Sequence, residues 1–414
     1  MRVLVVAGGW FPDHVGGTER VVRATAEALA KRGHEVSVVV ARVDNEPTVS
    51  TVNGIQLHRI VRRSRLPLTI TDVYEVRRAI RAGSLDECDL ILAHGASHAA
   101  GALLASTGKP VAFVFHASGF REARQRRSGG LPRWEWWSSR AIEPFLYGLE
   151  RLALHYATGV LVLSEFSRRL VLDIDARAES RVRVVGGGVD IRDFTPAQDR
   201  DALRQVVGLT SDETVLLTAR RLVSRMGVEV LLEAFRYLRS RRSNAHLVVI
   251  GDGELRPRLE AQRDRLRLSA SVKFLGRVTD AELRDWYRVS DLFVLPTIAY
   301  EGFGMVTAEA LACGTPVVAT AVGASSEILT PLNGDLMAGE PNAPSVASAI
   351  ERALARTDVA FRIKCHRYAR AHLAWDRVIA RWECALEEIQ PSVASAERIP
   401  ERGVPRTTDL GRTD

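Results

Sequence analysis

Short, almost continuous apolar runs alternate with amphipathic helical patterns along the whole chain. The runs are rich in Val, Ile and Leu, which is typical of parallel strands that are covered on both faces of a sheet. Between two of them, the segment Glu19–Lys31 places Val22, Ala26 and Leu29 on one helical face and charged residues on the other. We predict strands at Val3–Ala7, Val36–Ala41, Leu90–Ala93, Val111–Phe115, Gly159–Leu163, Val215–Thr218, His246–Ile250, Val272–Leu275, Leu292–Leu295 and Pro316–Thr320.

This alternation predicts an α/β protein with two Rossmann-like, doubly wound parallel-sheet domains that face each other across a cleft. The length of 414 residues also favours two domains. Three glycines, several turn residues and a proline at 186–199 mark the joint. We therefore predict a first domain at 1–190, a second domain at 191–372, a C-terminal helix at 373–390 that packs back on the first domain, and a disordered tail at 391–414.

The composition is that of an ordinary globular protein, with 46% hydrophobic and 26% charged residues. No apolar run approaches the roughly 20 residues of a membrane span. The first residues predict a buried strand rather than a signal peptide, so we expect a cytoplasmic protein. The net charge of +7 lies mainly in the first half, which favours a local basic surface, and we expect no nucleic-acid partner. Neither a zinc site nor a disulfide scaffold is expected from the spacing of Cys88, Cys313, Cys365 and Cys384.

The segment YEGFGMVTAEALACGTPVVAT at 300–320 carries the strongest local signal for chemistry. A helix is expected to begin near Gly304, so the amides of Phe303, Gly304 and Met305 are free to bind a phosphate. Glu309 can accept two hydrogen bonds from a ribose diol. Glu301 lies before the helix and suits the hydroxyls of a sugar beyond the phosphates. The alternative is that both glutamates are ordinary solvated residues.

A basic loop follows a predicted strand of the second domain. It lies between Thr218 and Gly227 and carries Arg220, Arg221 and Arg225 at the carboxyl edge of the sheet, where ligands of such sheets bind. Arg221 can offer a planar fork to phosphate oxygens and stabilise a departing diphosphate. The alternative is a solvated loop in an arginine-rich protein.

Three further features are weaker. Gly16 and Gly17 form a glycine-rich turn of phosphate-binding type after the first strand, but the chain lacks the GxGxxG pattern of a dinucleotide site. His116 ends a predicted strand at the carboxyl edge of the first sheet, where a structural histidine is the alternative. Asp173 and Asp175 have the spacing of a metal site, which we attribute to chance, and we predict no metal.

Taken together, these segments resemble the retaining family-4 glycosyltransferases of the GT-B fold over most of residues 1–390. The resemblance implies transfer of a hexose from a UDP- or GDP-sugar to a glycan or lipid-linked acceptor. It further implies retention of configuration without a metal or another cofactor. The motifs that carry it are GGTER, HASGF, SEFSRRL, GGGVDIRDF, RRLVSRMGVEVLLEAF, VVIGDGEL, VKFLGRVTDAELRDWYRVSDLFVLPT, EGFG with GTPVVAT, GASSEIL and AWDRVIARWE.

The resemblance also implies a role for each candidate residue. Glu309 would hold the donor ribose, Arg221 the diphosphate and Glu301 the transferred sugar, which His116 would also face. His116, Glu301 and Arg221 form the implied catalytic set. Further implied donor contacts are Gly16, Gly17, Arg225, Val278, Phe303, Gly304, Met305 and Val306.

One position departs from the family. A lysine usually follows the diphosphate arginine by five residues, and this chain has Met226 there, beside Arg225 as a second source of charge. A catalytically weak member that binds a nucleotide sugar or a glycan is therefore the alternative function. An isomerase would need a second carboxylate pair, and a phosphorylase a cofactor lysine, for which Lys273 and Lys364 are poorly placed. UDP and GDP both remain open.

The segment REARQRRSGGLPRWEWWSSR at 121–140 combines arginines with tryptophans directly after His116. Such residues suit anionic headgroups and the membrane interface, so we predict peripheral contact with an anionic membrane at the inner face of the cell membrane. The alternative is that the tryptophans pack the following helix onto the first domain. The residues concerned are Arg121, Arg124, Arg126, Arg127, Trp134, Trp136 and Trp137.

Overall fold

Two parallel sheets organise the protein. The computed structural model describes residues 1–14, 16–41, 46–60, 68–82, 87–105, 107–128 and 133–390. The predicted disordered tail at 391–414 lies outside these ranges. Because each sheet is flanked by helices that alternate with its strands, the predicted pair of Rossmann-like α/β domains is confirmed.

The first sheet has eight strands in the order β3-β4-β2-β1-β5-β6-β7-β8. All neighbours pair in parallel except β3 and β4, which form an antiparallel hairpin at one edge. We did not predict these two strands or β8, although Asn53-Gly54 in the hairpin turn is a recognised hairpin signal. The strands are β1 (Arg2–Val6), β2 (Glu35–Ala41), β3 (Val49–Val52), β4 (Ile55–Ile60), β5 (Leu90–His94), β6 (Val111–Phe115), β7 (Gly159–Val162) and β8 (Val182–Val184).

The second sheet has six strands, all parallel, in the order β11-β10-β9-β12-β13-β14. Its central strands are buried along almost their whole length, as the continuous apolar runs predict. The strands are β9 (Thr214–Ala219), β10 (Ala245–Ile250), β11 (Val272–Gly276), β12 (Leu292–Leu295), β13 (Val317–Thr320) and β14 (Met337–Ala338).

The helices lie on both faces of the sheets. In the first domain they are α1 (Gly17–Lys31), α2 (Leu68–Arg81), α3 (Ala96–Ala105), α4 (Gly119–Ser128), α5 (Arg133–Tyr156) and α6 (Glu165–Ile174). The rest are α7 (Arg200–Val206), α8 (Val228–Arg241), α9 (Arg256–Arg265), α10 (Asp280–Val289), α11 (Met305–Ala312), α12 (Ser325–Leu329), α13 (Ala343–Leu354), α14 (Val359–His372) and α15 (Trp375–Ile389). Among the described residues, no helix is both long and apolar enough to cross a membrane.

The last helix, α15, packs against the first domain although it follows the second in sequence. Trp382 is fully buried and its Nε1 donates to the carbonyl of Gly186 at 3.0 Å. Glu383 accepts a hydrogen bond at 2.6 Å from Arg32, which directly follows α1. The two chain segments that connect the domains are also hydrogen-bonded to each other, because the amide of Val189 donates to the carbonyl of Leu373 at 2.7 Å. The chain therefore passes between the domains twice.

Candidate active site

The N-termini of two helices face each other across the cleft. Helix α1 begins at Gly17 and α11 at Met305, and within the described ranges no side chain caps either N-terminus. A β-carbon on Gly17 would lie 3.8 Å from Cγ of Met305. Gly304 enters α11 with a φ of 82°, which glycine adopts without strain. Because the first amides of a helix lack internal partners and carry the positive end of its dipole, this position favours an anion.

Glu309 lies on the first turns of α11 and is 3% exposed. The hydroxyl of Tyr287 donates to its Oε2 at 2.9 Å. Burial raises the pKa of Glu309, and the charge of Arg20 together with the Tyr287 hydrogen bond offsets part of that rise. The carboxylate is thus held rigidly beside the helix N-terminus by groups from both domains.

Arg20 belongs to the first domain but contacts the second. Its Nε lies 3.7 Å from Oε1 of Glu309, and its Nη2 bonds Asp280 at the start of α10. The guanidinium also stacks over the ring of Phe11, 4.3 Å from its centroid. We did not identify Arg20 from the sequence, although it stands three residues after Gly17 in the GGTER motif.

Glu301 lies in the loop before α11, with a side chain that is 13% exposed. Its Oε2 accepts hydrogen bonds from Nη2 of Arg220 at 3.0 Å and from Oγ1 of Thr297 at 2.9 Å. No residue in the described part of the chain donates to Oε1. One oxygen is therefore engaged by the protein, and the other is available to a ligand.

Arg221 and Arg225 point towards the first domain. The side chain of Arg221 is 55% exposed, and its Nη2 lies 4.0 Å from Oε2 of Glu122 on α4. Arg225 bonds the same carboxylate at 2.7 Å and donates to the carbonyl of Tyr300 at 3.0 Å. The buried arginine of this loop is Arg220, for which the sequence predicted no role.

His116 follows β6 and lies next to His94, which ends β5. Nε2 of His116 is 2.9 Å from Nδ1 of His94, and the two rings stack with centroids 5.2 Å apart. Burial lowers the pKa of His116 to about 4, so its ring is neutral at pH 7. A β-carbon on Gly302 would lie 2.8 Å from the carbonyl oxygen of His116, so the two loops touch across the cleft.

The other residues predicted to bind the donor lie at the N-terminus of α11, on the core of the second domain or at the start of α1. Phe303 is 9% exposed and packs against Gly187, which lies in the segment 186–199 that joins the two domains. Met305 and Val306 are partly buried in the first turn, and Val278 packs on the core of the second domain. In the first domain, Gly16 is the N-cap of α1.

Asp173 and Asp175 do not converge. Asp173 lies 3.3 Å from Nη2 of Arg121, whereas Asp175 accepts from the amide of Arg177 and lies 3.5 Å from His155. Across the described ranges, no three His, Cys, Asp or Glu residues are grouped so that they could hold a metal ion. The four cysteines are free thiols, and all but Cys384 are buried.

The basic segment predicted to meet a membrane is only partly described. Arg124 is exposed on α4, and Arg121 pairs with Asp173. The side chains of Arg126, Arg127, Trp134, Trp136 and Trp137 lie outside the described residues.

Two protein-family models match this architecture, one on each domain. The model described as Glycosyltransferase Family 4 matches residues 15–193, and the one described as Glycosyl transferases group 1 matches residues 199–372. The D-inositol 3-phosphate glycosyltransferase of Pseudarthrobacter chlorophenolicus is 30% identical over 362 residues, which cover 81% of each chain. The chain belongs to the family-4 glycosyltransferases of the GT-B fold.

Other relatives of this glycosyltransferase differ in donor and acceptor. A GDP-mannose-dependent monoacylated alpha-(1-6)-phosphatidylinositol monomannoside mannosyltransferase of Corynebacterium glutamicum is 28% identical over 352 residues, covering 82% of this chain and 85% of its own. Sucrose-phosphate synthase of Thermosynechococcus elongatus has the same fold, with a TM-score of 0.78 at 21% identity over 94% of this chain and 98% of its own. Anabaena HepE in complex with UDP-glucose gives a TM-score of 0.73 at 20% identity over 94% and 100%.

Proposed function

We propose that this glycosyltransferase moves a hexose from a UDP- or GDP-sugar to a glycan or lipid-linked acceptor, with retention of configuration and without a metal. The observation that carries the proposal is the pair of helix N-termini, at Gly17 and Met305, that face each other between two carboxylates. A diphosphate fits between the helices because both N-termini are positive. Glu309 and Glu301 then lie where the ribose and the sugar of such a donor would extend.

Each carboxylate suits a neutral partner. Glu309 is buried beside the helix N-terminus and can accept hydrogen bonds from ribose hydroxyls. Glu301 has Oε1 free of donors within the described residues, which leaves it for a hydroxyl of the transferred sugar. Arg221 is exposed and lies 4.0 Å from Glu122, and it can turn from that carboxylate to the diphosphate when a donor enters.

In the proposed transfer, the bond from the anomeric carbon to the diphosphate oxygen breaks as the acceptor oxygen attacks from the same face. The acceptor proton passes to the departing phosphate oxygen, so no protein base is required. Amides of α11 and the guanidinium of Arg221 stabilise the charge on the diphosphate. His116 is neutral at pH 7 and can therefore act as a hydrogen-bond partner for a sugar hydroxyl rather than as an acid.

The acceptor class is proposed from the relatives. Two of the similar proteins are named for an inositol phosphate and for a phosphatidylinositol mannoside. A glycan or lipid-linked acceptor would enter beside His116, next to α4 and its exposed Arg124. We propose that the protein works in the cytoplasm, at the inner face of an anionic membrane.

A second candidate function is a catalytically weak protein that binds a nucleotide sugar or a glycan. The observation in its favour is Met226, an uncharged and buried residue where the family usually has a lysine. The two candidates differ in turnover, because a binding protein is stabilised by a nucleotide sugar but releases no nucleoside diphosphate.

The test is a panel of UDP- and GDP-sugars, first scored by thermal stabilisation and then by release of nucleoside diphosphate with glycan and lipid acceptors. We expect one donor to stabilise the protein, turnover that survives EDTA, and a product whose anomeric configuration by NMR equals that of the donor. Stabilisation without turnover would favour the binding protein. An inverted product, or activity that EDTA abolishes and a divalent ion restores, would contradict the proposed chemistry.

A further inference from the structure

Arg220 places a buried positive charge directly behind Glu301. The residue follows β9 at once, and its side chain is 4% exposed. Its Nη2 lies 3.0 Å from Oε2 of Glu301 and 2.8 Å from Sδ of Met226. Within the described ranges, Arg220 is the only basic residue within 4.0 Å of Glu301. It is therefore the counter-ion of that carboxylate.

The backbone fixes the direction of this side chain. The amide of Arg220 donates to the carbonyl of Ile250 at 2.9 Å. Its own carbonyl oxygen would lie 2.0 Å from a β-carbon on Gly251, which has a φ of 117°. Only glycine allows two strand ends to approach so closely. Arg220 consequently points towards Glu301 rather than towards solvent.

This buried charge costs stability. Nε and Nη1 of Arg220 are buried, and among the described residues neither has a hydrogen-bond partner. Burial lowers the pKa of Arg220, while the charge of Glu301 and the hydrogen bond to it act in the opposite direction. An incompletely paired buried cation is unfavourable for folding, and such groups concentrate at functional sites.

We propose that Arg220 is the positioning residue of the transfer reaction: it holds Glu301 by Oε2 so that Oε1 faces the donor sugar. The inference rests on the proposed function. It also explains the departure at position 226, because Sδ of Met226 and Oε2 of Glu301 contact the same guanidinium nitrogen. The positive charge that a lysine at position 226 would bring near Glu301 comes instead from Arg220, directly after β9.

Substitutions at the two positions test this assignment. Arg220→Gln removes the charge and leaves a shorter polar side chain, and we expect kcat to fall about 100-fold because Glu301 is misplaced. The Kd for UDP or GDP, whichever wild type binds, should change by less than about threefold because Glu309 and α11 are untouched. Arg236→Gln on the exposed side of α8 is the matched control and should change neither quantity.

The double variant supplies the sharper test. In the Arg220→Gln background, Met226→Lys places an ammonium beside Glu301, and we expect it to recover at least about tenfold in kcat. Met226→Lys alone should lower kcat, because two cations then share one carboxylate. A merely structural Arg220 would produce no such reversal between the two backgrounds.

A folded Arg220→Gln variant that keeps kcat within about threefold of wild type would overturn the proposal. So would a double variant that is no more active than the single one, or a double variant that fails to fold. If Arg220→Gln alone does not fold, the double variant decides: folding with at least about a tenth of wild-type kcat supports the proposal, and a lower kcat overturns it.

Failure of the proposed function would look different, because wild type itself would then release no nucleoside diphosphate with any donor. In that case, the affinity for the nucleotide sugar is compared with that for the nucleoside diphosphate alone. If wild type binds the nucleotide sugar more tightly than the nucleoside diphosphate and Arg220→Gln loses that difference, the inference is still supported. If Arg220→Gln keeps the difference, the inference is overturned.

Discussion

Nε of Arg20 lies 3.7 Å from Oε1 of Glu309, so that one ion pair joins the first helix of the first domain to the first turns of α11 in the second. Asp280 and the ring of Phe11 hold the same guanidinium from two other sides. Arg20 therefore links the first domain to Glu309, the carboxylate that we propose binds the donor ribose.

Arg20→Gln is expected to weaken donor binding about tenfold, because Glu309 loses the charge that offsets its burial. Without that charge the pKa of Glu309 rises further, so the loss of affinity should be larger at pH 6 than at pH 8. Calorimetric Kd values at both pH values measure the effect. Arg23→Gln, on the same helix, is the control. Equal weakening at the two pH values would show that Arg20 does not act through the ionisation of Glu309.

The two site carboxylates should fail in different ways. Glu309→Ala is expected to raise the Kd for the nucleoside diphosphate about 10- to 100-fold, since hydrogen bonds to the ribose are lost. Glu301→Ala should leave that Kd almost unchanged and lower kcat about 100-fold, since we propose that Glu301 contacts only the reacting sugar. Calorimetry and steady-state kinetics on both variants separate these effects. The reverse pattern would require the two roles to be exchanged.

Glu150 on α5 should make stability depend on pH. It is 2% exposed, accepts hydrogen bonds from Ser118 and Phe120, and has a pKa that burial raises to about 7. The folded state thus binds a proton more tightly than the unfolded state, whose value is near 4.5. Its contribution to stability is complete below about pH 4.5 and falls as pH rises towards 7, by on the order of 3 kcal/mol.

Glu150→Gln should remove this dependence. Urea unfolding of wild type and variant at pH 5 and pH 8 gives the difference in unfolding free energy at each pH. That difference should shift in favour of the variant at pH 8. His116, whose lowered pKa acts in the opposite direction between pH 4 and 6.5, is present in both proteins and cancels. A difference that is the same at both pH values would contradict the prediction.

The basic segment on α4 is expected to bind anionic vesicles at low salt. Each arginine near such a surface contributes about 1 kcal/mol, and salt screens the attraction. Co-sedimentation with phosphatidylserine vesicles should weaken when salt is added or when Arg121, Arg124, Arg126 and Arg127 are all changed to Ser. Neutral vesicles are the control. A folded wild-type protein that ignores anionic vesicles at low salt would point to an acceptor in solution.

The strands and the α11 region follow well from sequence because both rest on local patterns. Continuous apolar runs identified ten of the strands but not β3, β4, β8 and β14, and the glycines before Met305 marked a helix start. The sequence did not show which of Arg220 and Arg221 would be buried beside Glu301. β9 is buried on both faces, so its pattern does not show which face the next side chain takes. Backbone packing at Gly251 decides it.

Contacts between residues that are distant in sequence could not be predicted either. Arg20 and Glu309 meet only because β1 and β12 end on opposite sides of one cleft. His94 and His116 meet because β5 and β6 are neighbours, which strand order rather than spacing determines. The β3-β4 hairpin, by contrast, has a local signal in its sequence, because Asn53-Gly54 favours a hairpin turn.

The double passage of the chain between the domains sets how the enzyme can open. The two crossing segments are hydrogen-bonded to each other, from Val189 to Leu373 and from Trp375 back to Val189. Two linked tethers resist twisting of one domain against the other far more than they resist bending. We therefore expect the domains to open by a hinge bend at these two segments, which would break the ion pair between Glu122 and Arg225 across the cleft.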